Sequence, residues 1–259
     1  MQIKIQRWLS IVLIVVALAM GACSSQEVGS QSPTNSSTSS TTATTSTPVA
    51  QASSLQLSTL PRLEGKATVV LKVNGSPITI EVNGTDAPVT AGNFVDLVQR
   101  DVYDGLVFHR VVREPQPFVV QGGDPQGKDP SFPVEGLGTG SFIDPDTSQA
   151  RYVPLEIKPE GAAEPIYSKT LEKAGVSKPP VLRHTRGAVA MARSSPPDSA
   201  SSQFYIALTE LPFLDGSYAV FGYVTEGMDV VDKIQQGDRI ESAEVTKGIE
   251  NLKKPQTPS

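Results

Sequence analysis

Few residues in this chain have the chemistry for catalysis, and several of them fall in one short stretch, Val107 to Asp124, "VFHRVVREPQPFVVQGGD". His109 is one of only two histidines, the other being His184. Arg110 stands in an apolar, β-branched run, where a charge is expensive unless it has a partner or a task. An arginine in that setting is ordinarily a surface charge whose stem lies along apolar neighbours. A guanidinium is permanently protonated and presents a rigid fork of donors, so it suits the stabilisation of a developing lone pair or oxyanion. His109 reads as a hydrogen-bonded structural histidine, because no serine or acid near it forms a hydrolytic constellation. Asp124 and Asp215 stand beside glycines and read as turn residues. His184 falls in a loop and receives no role. One cysteine and two histidines are too few to build a zinc site, so no metal is expected.

The elements around this stretch read as mostly β. "ATVVLKV" (67–73) and "ITIEV" (78–82) flank Asn74-Gly75, a strong hairpin signal. Further strand candidates are 106–112, 118–121, 152–157, 187–192, 203–208, 219–224 and 239–246. "APVTAGNFVDLVQRDVYDG" carries Phe94, Val95, Leu97, Val98 and Val102 at helical spacing, with Gly105 as the expected stop. "GMDVVDKIQQG" (227–237) predicts a second helix ended by Gly237, and 164–175 a short one. The segments 125–150 and 158–185 read as long loops, of the kind that are functional or mobile. Many short strands without βαβ alternation predict an antiparallel sheet or barrel.

The chain begins with Lys4 and Arg7, an apolar run from Leu9 to Met20, and then Gly21-Ala22-Cys23. That order is a secretory signal. Its end resembles the lipobox of bacterial lipoproteins, which implies lipidation of Cys23, the only cysteine. Export and a membrane anchor on the periplasmic or extracytoplasmic side follow as expectations. Residues 23–60 are rich in Ser and Thr and read as a disordered tether with a reach of roughly 35 Å. Residues 61–250 have globular composition, and 251–259 read as a tail. The net charge of −5 without a basic cluster argues against a nucleic-acid partner.

Five motifs occur in order: "FHRVV", "FVVQGGD", "GAVAMARS", "SQFYIAL" and "FLDGSYAVFGYVTEGMDVVDKI". Together, over roughly residues 65–248, they resemble the cyclophilin family of peptidyl-prolyl isomerases, in its bacterial exported form. The resemblance implies a mainly β fold, a closed eight-stranded antiparallel barrel capped by two α-helices. It also implies isomerisation of Xaa–Pro bonds in exported polypeptides, with no cofactor and as a monomer. Arg110 falls on the family's catalytic arginine. The substrate-binding positions fall on Phe118, Val119, Gln121, Ala192, Arg193, Gln203, Tyr205, Phe213, Leu214 and Tyr218. Phe213 and Tyr218 stand where many members carry tryptophan and histidine, and Tyr205 stands where phenylalanine is usual. "REPQP" lengthens the link before Phe118, and 144–185 has no counterpart in compact members. The alternative from another functional class is a proline-peptide binding or scaffold module without turnover. Strand periodicity adds one check: Gln203 and Tyr205 share a face, and Phe204 between them points into the core.

Overall fold

A computed structural model describes residues 57–255; the signal, the lipobox at Cys23 and most of the Ser/Thr-rich segment lie outside the described residues. The eight strands of the main sheet are β1 (Lys66–Val73), β2 (Ser76–Asn83), β3 (Arg110–Val111), β4 (Val119–Gly122), β5 (Ala188–Met191), β6 (Phe204–Ala207), β7 (Val220–Glu226) and β8 (Ile240–Lys247). They lie in the order β8-β1-β2-β7-β5-β6-β4-β3. Every neighbouring pair is antiparallel. The hairpin at Asn74-Gly75 forms as expected, with both residues at positive φ of 50° and 74°.

The sheet is open and does not close as a continuous ladder. Its edge strands β3 and β8 do not pair; one bridge, Val107 to Arg239, joins the segments ahead of them. Phe108 N–H donates to Asp238 and Ile240 N–H donates to Leu106, so residues 106–109 contact the far edge without extending β3. The strand expected over 106–112 is therefore only Arg110–Val111. A pair of short strands, Arg62–Leu63 and Leu252–Lys253, ties the two ends of the described region together.

Helix α1 (Pro88–Gln99) is present, with one difference from a one-sided amphipathic helix: every residue from Pro88 to Val98 is buried. The sheet covers one side and the 144–185 segment covers another. Asp96 pairs with Arg151 at 2.6 Å and with Arg100 at 2.9 Å. Asn93 donates to the Ser201 carbonyl at 2.7 Å. The N-terminus lacks a cap from Ala87; instead Glu156 accepts from the N–H groups of Val89 and Thr90 at 3.1 and 2.7 Å. A carboxylate suits the positive end of the helix dipole. Burial nevertheless outweighs these donors and holds the Glu156 carboxyl above its ordinary range. The helix ends before Gly105, because Asp101 already takes a positive φ of 51°.

The second helix is shorter than expected, α2 (Met228–Val231). Beyond it Lys233 and Ile234 bond three residues back, to Val230 and Val231, so the chain tightens. No helix forms over 164–175. Ile166–Tyr167 pairs as a strand with Glu156–Ile157, and Ser168 at φ 61° turns the chain away. The strand expected over 152–157 is accordingly confined to Glu156–Ile157. Among the described residues no helix is long and apolar enough to cross a membrane.

The side chains of Asp96 and Arg151 are 3% and 7% exposed, so removing one partner strands a buried charge. Arg151→Met is expected to destabilise the fold by about 3 kcal/mol in urea unfolding. A loss below about 1 kcal/mol would mean that Arg100 alone satisfies Asp96.

Candidate active site

Two apolar clusters divide the sheet by strict alternation. On β4, β5 and β6, Val120, Val189, Met191, Phe204 and Ile206 enter the main core. Val119, Ala188, Ala190, Tyr205 and Ala207 join a second cluster on the opposite face. Phe204 is fully buried, as the alternation predicts. On the second face the register aligns Arg110 of β3 with Gln121 of β4, Gln121 with Tyr205 of β6, and Tyr205 with Ala190 of β5. Residues far apart in sequence thereby form one transverse row.

Above this row lies an open cavity of about 300 Å³. Phe118 and Val119 form one side, Leu214 and Tyr218 another, and Tyr205, Ala192 and Arg193 complete the lining. Arg110 and Gln121 stand at its edge. The Arg110 guanidinium is exposed, lies 5.5 Å from the Phe118 ring centroid, and donates to Gln121 Oε1 at 3.3 Å. Gln121 Nε2 donates to Gln203 Oε1 at 3.2 Å, and Gln203 Nε2 to the Gly140 carbonyl at 2.9 Å. A line of amides thus holds the cation from behind.

Two of the expected residues do not line this cavity. Phe213 is 69% exposed and stacks on Phe118 at the rim, 6.1 Å between centroids. Gln203 lines an adjoining cavity of about 570 Å³, which shares Gln121, Ala192 and Arg193 with the first. Arg193 lies over the Tyr218 ring at 4.6 Å and donates to the Ser217 carbonyl at 2.8 Å. Its side chain therefore braces the wall.

The close approach of β4 to β6 depends on Gly123. It has φ 89°, and a Cβ there would stand 2.7 Å from the Ser202 carbonyl oxygen. Asp124 does more than turn the chain. Its carboxylate accepts from the N–H groups of Gln126, Gly138 and Gly140, at 2.9, 2.6 and 2.9 Å. This folds the 138–140 loop against the amide line.

Both histidines are buried. His109 packs beneath Gly138 without a well-formed hydrogen bond to either ring nitrogen, so the expected hydrogen-bonded residue is a packed one. Burial lowers its pKa, against the pull of Asp124. His184, a loop residue to which the sequence gives no role, lies against Tyr205 under the cavity. Its Nδ1 meets Asp215 Oδ1 at 2.7 Å and its Nε2 meets the Tyr205 hydroxyl at 2.9 Å. Burial lowers its pKa as well, opposed by Asp215. Nothing in a lone loop histidine signals such a contact; the partners are 21 and 31 residues away.

The pattern of the family described as "Cyclophilin type peptidyl-prolyl cis-trans isomerase/CLD" matches residues 68–253. The chain belongs to that family. A Synechocystis relative, named "Putative thylakoid lumen peptidyl-prolyl cis-trans isomerase", is 43% identical over 207 residues, 76% of this chain and 51% of that protein. The Arabidopsis thaliana chloroplastic peptidyl-prolyl cis-trans isomerase CYP38 is 44% identical over 214 residues, 76% of this chain and 46% of that one. The chain thus spans about half the length of these relatives. A Cryptosporidium parvum cyclophilin type isomerase shares the fold at TM-score 0.52 and 22% identity, over 70% of this chain and 98% of its own.

Both imidazoles have folded-state values below the ordinary 6.5, so the unfolded chain takes up protons first as pH falls. Each histidine therefore contributes a loss of stability from about pH 6.5 downward, through the window between its unfolded and folded values, while the raised Glu156 carboxyl contributes with the opposite sign. With only two histidines, NMR titration of their ring protons reads both directly. Midpoints at or above 6.5 would contradict the assignment of buried, neutral rings.

Proposed function

We propose that the protein is a peptidyl-prolyl cis-trans isomerase that accepts a proline ring in the 300 Å³ cavity beside Arg110. The observation that carries this reading is the exposed guanidinium, 5.5 Å from the Phe118 centroid and steadied by Gln121 at 3.3 Å. Among relatives of the same fold, the Cryptosporidium protein has been crystallised in the presence of the dipeptide Ala-Pro.

The reaction asks little of covalent chemistry. Rotation about the amide bond faces a barrier of about 18–20 kcal/mol, set by resonance. Nothing has to be cleaved, so the site needs to favour the twisted amide over the planar one. As resonance is lost, a lone pair localises on the prolyl nitrogen, and Arg110 donates to it or to the neighbouring carbonyl. That hydrogen bond strengthens only in the twisted state, which is the condition for catalysis. A charged hydrogen bond contributes roughly 1.5–3 kcal/mol, whereas a 10⁵-fold acceleration needs about 7 kcal/mol. The remainder falls to anchoring by Phe118, Val119, Tyr205 and Leu214 and to orientation by Gln121 and Gln203. By the family resemblance the backbone of Arg193 pairs with the substrate chain, with Phe213 and Tyr218 bordering its path.

The reading extends to location. The Met20-Gly21-Ala22-Cys23 sequence supports export and acylation of Cys23, with the Ser/Thr-rich segment as spacer to a globular unit from about residue 61. Clients are then proline-containing chains on the far side of the membrane, met by a monomer. Metabolic labelling with palmitate is expected to mark the wild-type protein and to be abolished by Cys23→Ser. Labelling that survives this change would exclude the anchor.

In an isomerisation assay on an Ala-Pro peptide, Arg110→Ala is expected to lower kcat/KM by about 10²-fold with the fold intact by circular dichroism. Wild-type-like rates in that variant would reject the role of Arg110. Peptide binding without acceleration by the wild-type protein would instead support a non-catalytic binding module.

A further inference from the structure

Beneath the proposed proline cup lies a buried chain of polar groups that the isomerase chemistry does not itself use. The His184 side chain is 1% exposed. Its Nε2 meets the Tyr205 hydroxyl at 2.9 Å, and the two rings stack at 6.0 Å with 15° between their planes. On the other side, Asp215 Oδ1 stands 2.7 Å from His184 Nδ1 and also accepts the His184 backbone N–H at 2.8 Å. Tyr205 is the floor of the cup, and Asp215 directly follows Leu214, one of its walls. The chain therefore ties floor, wall and the end of the 144–185 segment into one unit.

The direction of each hydrogen bond follows from the chemistry. Burial keeps the Tyr205 phenol protonated and the imidazole neutral. A neutral ring carries one proton, and the carboxylate of Asp215 can only accept, so that proton belongs on Nδ1. Nε2 is then a bare acceptor, and the Tyr205 hydroxyl donates to it. The hydroxyl proton is thus aimed at His184 rather than into the cup that Tyr205 lines.

We propose that His184 is a positioning residue for proline recognition: by accepting the Tyr205 proton it keeps the floor of the cup apolar and fixed, so that a pyrrolidine ring is held there rather than water. Tyr205 is only 5% exposed, so its hydroxyl cannot be left without a partner cheaply. Without Nε2, the hydroxyl must turn toward the cup or retain a water there, and the proline ring then competes with it. The inference rests on the cup being the proline site, and it concerns affinity rather than the twisting step.

The test is a double-mutant cycle in the full-length protein, reading the affinity for an Ala-Pro peptide by titration together with kcat and KM. His184→Phe, which keeps a planar ring and removes both nitrogens, is expected to weaken peptide binding about tenfold, with KM rising in parallel and kcat within about threefold. Tyr205→Phe sets its own baseline, since Tyr205 touches the substrate. Adding His184→Phe to that baseline is expected to change affinity less than about twofold, because no hydroxyl then needs an acceptor. Equal losses on both backgrounds would show a general structural role and overturn the proposal, as would no loss on the wild-type background. If His184→Phe fails to fold, His184→Gln takes its place. Its amide supplies a donor and an acceptor and is expected to bind within about threefold of wild type; a tenfold loss shared by both backgrounds would again overturn it. A wild-type protein that binds peptide without accelerating isomerisation would reject the enzymatic reading and leave this one standing. A chain that does not bind the peptide rejects both.

Discussion

The site depends on one cross-strand register: Gln121 stands opposite Arg110 on one side and Tyr205 on the other. Side chains on a strand alternate, so a slip of one residue would send all three into the core and bring Val120, Phe204 and Ile206 to the surface. The core itself forbids that slip. Phe204 packs edge-on to Phe94 and Tyr103, at 5.4 Å from each, and has no comparable place on the other face. Gly123 contributes from the backbone, since any side chain there would push β4 away from β6. The reacting face is thus specified by packing on the face that does no chemistry.

Acidic residues organise the structure around that register. Asp124, Glu156 and Asp215 each collect two or more donors, and each joins segments distant in sequence. Asp124 folds the 138–140 loop onto Gln203, Glu156 caps α1 from the 144–185 segment, and Asp215 secures His184. A carboxylate with several backbone donors is a strong, directional joint that needs no apolar area. In the 144–185 segment these joints act beside apolar packing, since Val153, Leu155, Ile157 and Leu171 are buried. The 144–185 segment is consequently part of the fold, bound to α1 through Arg151 and Glu156.

Arg110 and Asp96 show how burial changes the meaning of a charge. Asp96 is enclosed and is held by two guanidiniums. Arg110 is exposed, touches one amide and one ring face, and keeps donors available. In water a single guanidinium gains little from a peptide carbonyl. Beside an apolar cup, with Gln121 limiting its freedom, the same fork is oriented before the substrate arrives.

Much of this was legible in one dimension. Alternating apolar residues marked the strands and placed Gln203 and Tyr205 together and Phe204 opposite, and the ordered motifs located Arg110, Phe118, Gln121 and Leu214. Those properties are local or carried by residue type, so the amino-acid order determines them. Element lengths were less legible: α2 stops at Val231 and 164–175 is not helical, because tight i→i+3 bonds and pairing with Glu156–Ile157 override local periodicity. The open edge between β3 and β8, the burial of α1 on every side and the Asp215–His184–Tyr205 chain were decided only in three dimensions. Hydrogen bonds and burial act on distance in space. A lone histidine 21 residues from its tyrosine carries no trace of the encounter until the chain has folded.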